Sequence, residues 1–308
     1  MSLIKVTDIG FVRFRAPDLD AMEAFAVDFG LTRADRSEET LYLRGTDGDP
    51  FLHVTHRGEA GFAGVAFEAA SVDDLQTIAR AEGVPAERFD GPGGGYAVRL
   101  TDPNGFTVEV VAGRKSADRI EVARAAQTNS AYETPRLNTV KRVGRGPSHV
   151  KRLGHCVLNV KDFRLSETWY KSRFGFITSD EISLGATNAV LGAFMRCDRG
   201  PIPSDHHTLF LVGSRKPKFN HAAFEVADYD DLMMGNSWLQ EHQRRHEWGV
   251  GRHFLGSQIF DYWRDPWGHT LEHWTDGDLL SADWGSRRAS TQELMGVQWG
   301  PSAPPTMG

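Results

Sequence analysis

The chain repeats itself once, and that repetition limits its fold more than any other feature. FGLT at 29–32 matches FGFI at 174–177, GVAFEAASVDDL at 64–75 matches HAAFEVADYDDL at 221–232, and DPNGFTVEV at 102–110 matches DPWGHTLEH at 265–273. Self-similarity over roughly a hundred residues marks a duplicated unit. In the first copy strands are predicted over 7–15, 40–44, 51–55, 64–67, 96–101 and 106–111, with helices opening at Asp18 and Ser71. In the second copy they are predicted over 153–160, 189–196, 207–212, 219–226, 259–263 and 269–274, with helices over 162–174 and 229–243. This order predicts an α+β protein of two tandem domains, 4–115 and 149–278. A connector over 116–148, rich in Arg, Lys, Ser and Thr, reads as solvated chain. The tail, 279–308, loses the pattern and ends in Pro301-Ser302-Ala303-Pro304-Pro305, so it is expected to wrap over the second domain or stay disordered.

Composition narrows the function. With 308 residues and 40% hydrophobic content the chain can bury two cores. A net charge of −6 gives no footprint for nucleic acid. Cys156 and Cys197 are too few for a disulfide framework and fit a reducing cytoplasm. No apolar run is long enough to cross a bilayer, and the first residues do not read as a secretory signal.

The chemistry lies where the copies differ. The second has His155 where the first has Phe11, and His221 where the first has Gly64; both keep a glutamate after the Asp-Pro turn, Glu272 and Glu109. A glutamate inside an aromatic, apolar strand needs a positive partner, and a bound metal is one. Two imidazoles and a carboxylate on three strands suit non-haem Fe(II) with open coordination positions, and admit Mn(II). A single strand histidine is ordinarily a hydrogen-bonded core or surface residue; three candidates at equivalent points of a repeat are not ordinary. Glu109, with no histidine partners, reads as structural or solvated. His206 and His207 open a strand, His253 reads as a loop histidine, and Tyr262 is a core aromatic or a donor. His269 and His273 flank Glu272 on the opposite strand face, and His242 and His246 read as surface. Phe194, Trp248, Phe254, Phe260 and Trp263 suit either a core or a flat hydrophobic ring.

The ordered set His155, His206, His221, His253, Tyr262, Glu272, with its Tyr-x-x-Asp-Pro-x-Gly-x-x-x-Glu spacing, resembles the type I extradiol ring-cleaving dioxygenases of the vicinal oxygen chelate superfamily. The likeness covers both copies, about Ile4 to Asp278. It implies that each domain pairs two βαβββ modules into a partly closed barrel, that the first domain is metal-free, and that the second holds Fe(II), less often Mn(II). It implies His155, His221 and Glu272 as metal ligands, His206 as acid/base, with His207 the alternative, and His253 and Tyr262 as donors to substrate. The implied partners are a catechol-type substrate and O2, in a homo-oligomer without nucleic acid or membrane.

Two rival readings use the same frame. A glyoxalase-type isomerase or an epimerase usually draws ligands from both halves, and Phe11 and Gly64 count against it. A protein that only sequesters an aromatic or a metal has no need of His206, His253 and Tyr262.

Overall fold

The computed structural model describes residues 2–124, 126–185 and 189–307. The first half runs β1 (Val6–Ala16), α1 (Leu19–Asp28), β2 (Thr32–Arg36), β3 (Thr40–Arg44), β4 (His53–Arg57), β5 (Gly61–Ala69), α2 (Val72–Glu82), β6 (Glu87–Arg88), β7 (Tyr96–Thr101) and β8 (Thr107–Ala112). The second half runs β9 (Val150–Val160), α3 (Phe163–Phe174), β10 (Ile177–Ser183), β11 (Val190–Arg196), β12 (Ser204–Asp205), β13 (Leu209–Gly213), β14 (Lys218–Val226), α4 (Tyr229–Glu241), β15 (Arg245–His253), β16 (Ile259–Arg264) and β17 (Thr270–Thr275). The tail adds β18 (Leu279–Leu280), β19 (Arg287–Ser290), α5 (Thr291–Leu294) and β20 (Val297–Trp299).

Apart from the short β12, each half is two βαβββ modules in sequence. The sheets are ordered alike: β2-β3-β4-β1-β5-β8-β7-β6, and β10-β11-β13-β9-β14-β17-β16-β15 with tail strands β19 and β20 added at its two margins. Both sheets are open, and among the described residues neither closes into a barrel. In each, an antiparallel pair lies at the centre, β1 with β5 and β9 with β14. Each of the two is then paired in parallel on its outer side, β1 with β4 and β5 with β8, β9 with β13 and β14 with β17.

Local chemistry explains the recurrence. Each of the four long helices begins on a residue whose side chain accepts from a first-turn N–H: Asp18, Ser71, Asp162 and Asp228. The two Asp-Pro turns are also the same device. Asp265 Oδ1 accepts from the Trp267 and His269 N–H groups at 2.9 and 2.8 Å, and Asp102 Oδ1 from Asn104 and Phe106 at 2.8 and 2.9 Å. Gly268 and Gly105 both sit at φ +88°, which a side chain resists.

One core runs through both halves, from Phe14 and Phe29 to Phe174 and Phe224. His273 is part of that junction. Expected on the face away from Glu272, it does lie there, but the face is covered: the ring is fully buried, stacks on Phe29 at 3.8 Å, and its Nε2 donates to the Phe29 carbonyl at 2.7 Å. The connector carries no helix or strand among its described residues, in keeping with its polar composition. The tail is ordered against the second half. Arg196, buried beneath it, donates to the carbonyls of Ser281 and Gly285 at 2.9 and 3.1 Å.

Candidate metal centre

Three neighbouring strands bring the predicted ligands together. His155 on β9 and Glu272 on β17 are both in register with Ala223 on the intervening β14. His221, two residues before Ala223, faces the same side. The small Ala223 leaves room between them. One ligand atom from each of His155, His221 and Glu272 lies within 4.8 Å of the others, and all three residues are buried. The imidazole Nε2 atoms of His155 and His221 stand 3.2 and 3.3 Å from Glu272 Oε2. Ligands at about 2.1 Å from one ion lie about 3 Å apart when adjacent, so the spacing is that of a coordination shell.

Hydrogen bonding makes the same point. Neither Glu272 oxygen has a hydrogen-bond partner although the carboxyl is wholly buried. A buried carboxylate without a partner costs several kcal/mol. Burial lowers the pKa of His155, which keeps the ring neutral and its nitrogen lone pair free. His221 is oriented by its neighbour: Nδ1 donates to Asn220 Oδ1 at 2.9 Å, and the Asn220 amide donates to Asn159 at 3.0 Å. That fixes Nε2 as the lone pair toward Glu272. The donor set fits a divalent metal.

His155 and His221 open onto a cavity of about 440 Å³. Phe194, Phe210, Leu191, Val212, Leu255 and Trp248 form much of its wall, and Thr291, Leu294 and Met295 of the tail complete it. Of the aromatics singled out in the sequence, Phe194 and Trp248 line the cavity; Phe260 and Trp263 are core, and Phe254 is half exposed. His253 and Tyr262 both reach the cavity, and the Tyr262 hydroxyl meets His253 Nε2 at 2.8 Å. Burial raises the Tyr262 pKa well above its ordinary value, helped by nearby Glu272, so the hydroxyl keeps its proton. His253 ends β15 rather than sitting in a loop, and its ring stacks on Phe260 at 4.0 Å.

Of the adjacent histidines, it is His207 that faces the cavity, its ring 3.9 Å from that of His155. His206, the preferred acid/base candidate from the sequence, points behind the wall, where Nε2 meets Asp180 Oδ2 at 2.7 Å. The extended backbone sends neighbouring side chains to opposite faces, so only one of the pair can reach the cavity. Burial, then neighbouring His155 and His206, lowers the His207 pKa well below its ordinary value.

Residues 152–273 match the family model for the Glyoxalase/Bleomycin resistance protein/Dioxygenase superfamily. The chain carries a domain of that superfamily. Beyond the superfamily domain, the whole chain is 28% identical to metapyrocatechase 2 of Cupriavidus necator, over 97% of this chain and 90% of that protein. Two solved structures share the fold. An extradiol ring-cleaving dioxygenase from B. fuscum superposes with a TM-score of 0.81 at 20% identity, covering 99% of this chain and 82% of that one. The Mn(II)-bound glyoxalase from Novosphingobium aromaticivorans does so with 0.79 at 24%, covering 99% and 94%. The resemblance to extradiol dioxygenases read from the residues is thus met again along the full chain.

The sequence reading missed Asn220, Asn159 and the tail residues of the cavity wall. The tail had a visible signal: Ser290 and Glu293, three apart, form a capping box that starts α5.

Proposed function

We infer that the protein is a metal-dependent extradiol dioxygenase that opens a catechol-type ring beside its two hydroxyls with O2. The observation that carries this reading is the unpartnered Glu272 carboxylate beside two imidazoles, His155 and His221, that line an apolar, ring-sized cavity. Similarity to metapyrocatechase 2 along nearly the whole chain supports it.

His155, His221 and Glu272 would hold the metal, Fe(II) in preference to Mn(II). When bound, the metal supplies simultaneous binding of the catechol oxygens and dioxygen and passes electron density between them. The chain's own groups do the rest. Phe194, Phe210 and Trp248 offer flat apolar surface to the ring and keep water from it. His207, next to His155, takes the proton that a binding hydroxyl gives up and can return it later in the cycle. The Tyr262 hydroxyl, held by His253, donates toward oxygen atoms near Glu272. Glu109 of the first half is already bonded to Arg13, so that half lends no ligand to a shared centre. Both cysteines are free and buried, which suits a cytoplasmic enzyme; a homo-oligomer is the expected assembly.

The test is metal analysis together with oxygen uptake on catechol, 3-methylcatechol, 4-substituted catechols and dihydroxybiphenyl. Bound iron with a yellow ring-opened product is expected. Formation of a glutathione thioester instead would make it a glyoxalase, and tight ligand binding without turnover would make it a sequestering protein.

A further inference from the structure

Behind His207 lies a row of polar groups that the proposed reaction does not use directly. His206 Nδ1 meets His207 Nδ1 at 3.1 Å, and His206 Nε2 meets Asp180 Oδ2 at 2.7 Å. On its other side Asp180 faces Arg287 of the tail, with Arg287 Nε 3.3 Å from Oδ1. His206, His207 and Asp180 are each at most 3% exposed. Such a row, buried away from water, is costly unless each member has its partner.

The donor assignments follow from one end. A carboxylate can only accept, so His206 Nε2 carries the hydrogen in its bond to Asp180. Burial opposes the charge on Asp180, but the bond from His206 and the nearby Arg287 outweigh it and hold the carboxyl below its ordinary range. With both rings neutral, His206 has only a lone pair at Nδ1. Its bond to His207 requires the hydrogen to sit on His207 Nδ1. His207 Nε2 is left as a lone pair.

We propose that Asp180 and His206 are positioning residues that fix His207 in its Nδ1–H form, so that it meets substrate already set as a base. The proposal rests on the role given to His207 above, but the hydrogen placement can be read without any turnover. Replacing His206 by leucine removes the acceptor; replacing it by glutamine keeps one, since the amide oxygen can accept from His207 while the amide nitrogen donates to Asp180.

The experiment has two arms. Long-range nitrogen–proton NMR on the metal-free protein reads the His207 tautomer in wild type, His206→Leu and His206→Gln. Kinetics of the iron-loaded enzymes read kcat and KM on the best catechol. Expected are the Nδ1–H form in wild type and His206→Gln, and a mixture of forms in His206→Leu. His206→Leu should lose kcat by about tenfold or more at unchanged KM and iron content, and His206→Gln should recover most of it. Asp180→Asn, which keeps an acceptor, should lose less than Asp180→Ala. A Nε2–H form in wild type, or the same tautomer and kcat in His206→Leu, overturns the proposal. If wild type opens no catechol, the assigned reaction fails and the NMR arm alone decides this point.

Discussion

The two halves set a glutamate at the same point of the same strand and satisfy it by different means. Glu109 is in register with Ala66, and Ala66 with Phe11; Glu272 is in register with Ala223, and Ala223 with His155. In the first half Arg13, paired with Gly64, occupies the position that Val157, paired with His221, holds in the second. Its Nε and Nη2 donate to the two Glu109 oxygens at 3.1 and 3.0 Å. Arg99, opposite Glu109, stands where Tyr262 stands opposite Glu272, and donates at 3.4 Å. Gly64 has φ +153°, and a Cβ there would lie 2.8 Å from the Thr107 carbonyl oxygen, so no imidazole fits in that place. The first half therefore acts as an internal control. Where the frame sets arginines on its carboxylate it has no histidine at the two ligand positions, and where it has those histidines no arginine or lysine pairs with the carboxylate among the described residues.

The largest test removes the difference at its source. Glu272→Gln should abolish bound metal and lower ring opening by at least about a thousandfold, read by metal analysis and oxygen uptake. Glu109→Gln should leave metal content as in wild type. Equal metal loss in both would end the contrast.

A smaller effect is expected from Arg13→Met, which leaves Glu109 buried and without its chief partner. It should cost about 3–5 kcal/mol of stability in denaturant titration, because breaking one side of a buried pair strands the other. Adding Glu109→Leu should return much of that loss. If Arg13→Met is neutral, the arginine is not what satisfies the first half.

The third test concerns pH. His53 in β4 is buried, and that burial lowers its pKa from 6.5 to about 4, with Asp265 opposing and His269 adding to the shift. Above pH 6.5 neither folded nor unfolded His53 is charged. As pH falls from 6.5 to 4, the unfolded chain takes up the proton and the folded one does not, so stability is lost; below 4 the loss levels off. His53→Leu should lose roughly 3 kcal/mol less than wild type over that window, measured by unfolding at fixed pH steps. Parallel stability curves would show that His53 is not the acid-sensitive group.

How much was legible follows from the same chemistry. The duplicated order, the caps and the Asp-Pro turns were readable because local rules set them. So were His155 and His221, since the mismatch between copies points to them, and Glu272, a carboxylate inside an apolar, aromatic strand. β2, β10 and β15 were missed because their sequences, Thr32–Arg36, Ile177–Ser183 and Arg245–His253, are polar or broken by glycine and show no alternation. Missing β10 also hid Asp180, and with it the reason His206 turns away from the cavity. The choice between His206 and His207 depends on which face of an extended segment meets the cavity, and spacing alone does not set that.

The tail carries one more consequence. β19 lies beside β10 and β20 beside β15, at opposite ends of the ten-stranded sheet. A single short segment thus covers both edges of the duplicated eight-strand order in the second half. The stretch between β19 and β20, Thr291 to Met295, finishes the cavity wall, so shortening the chain at its end would open the cavity and bare the margins of β10 and β15 together.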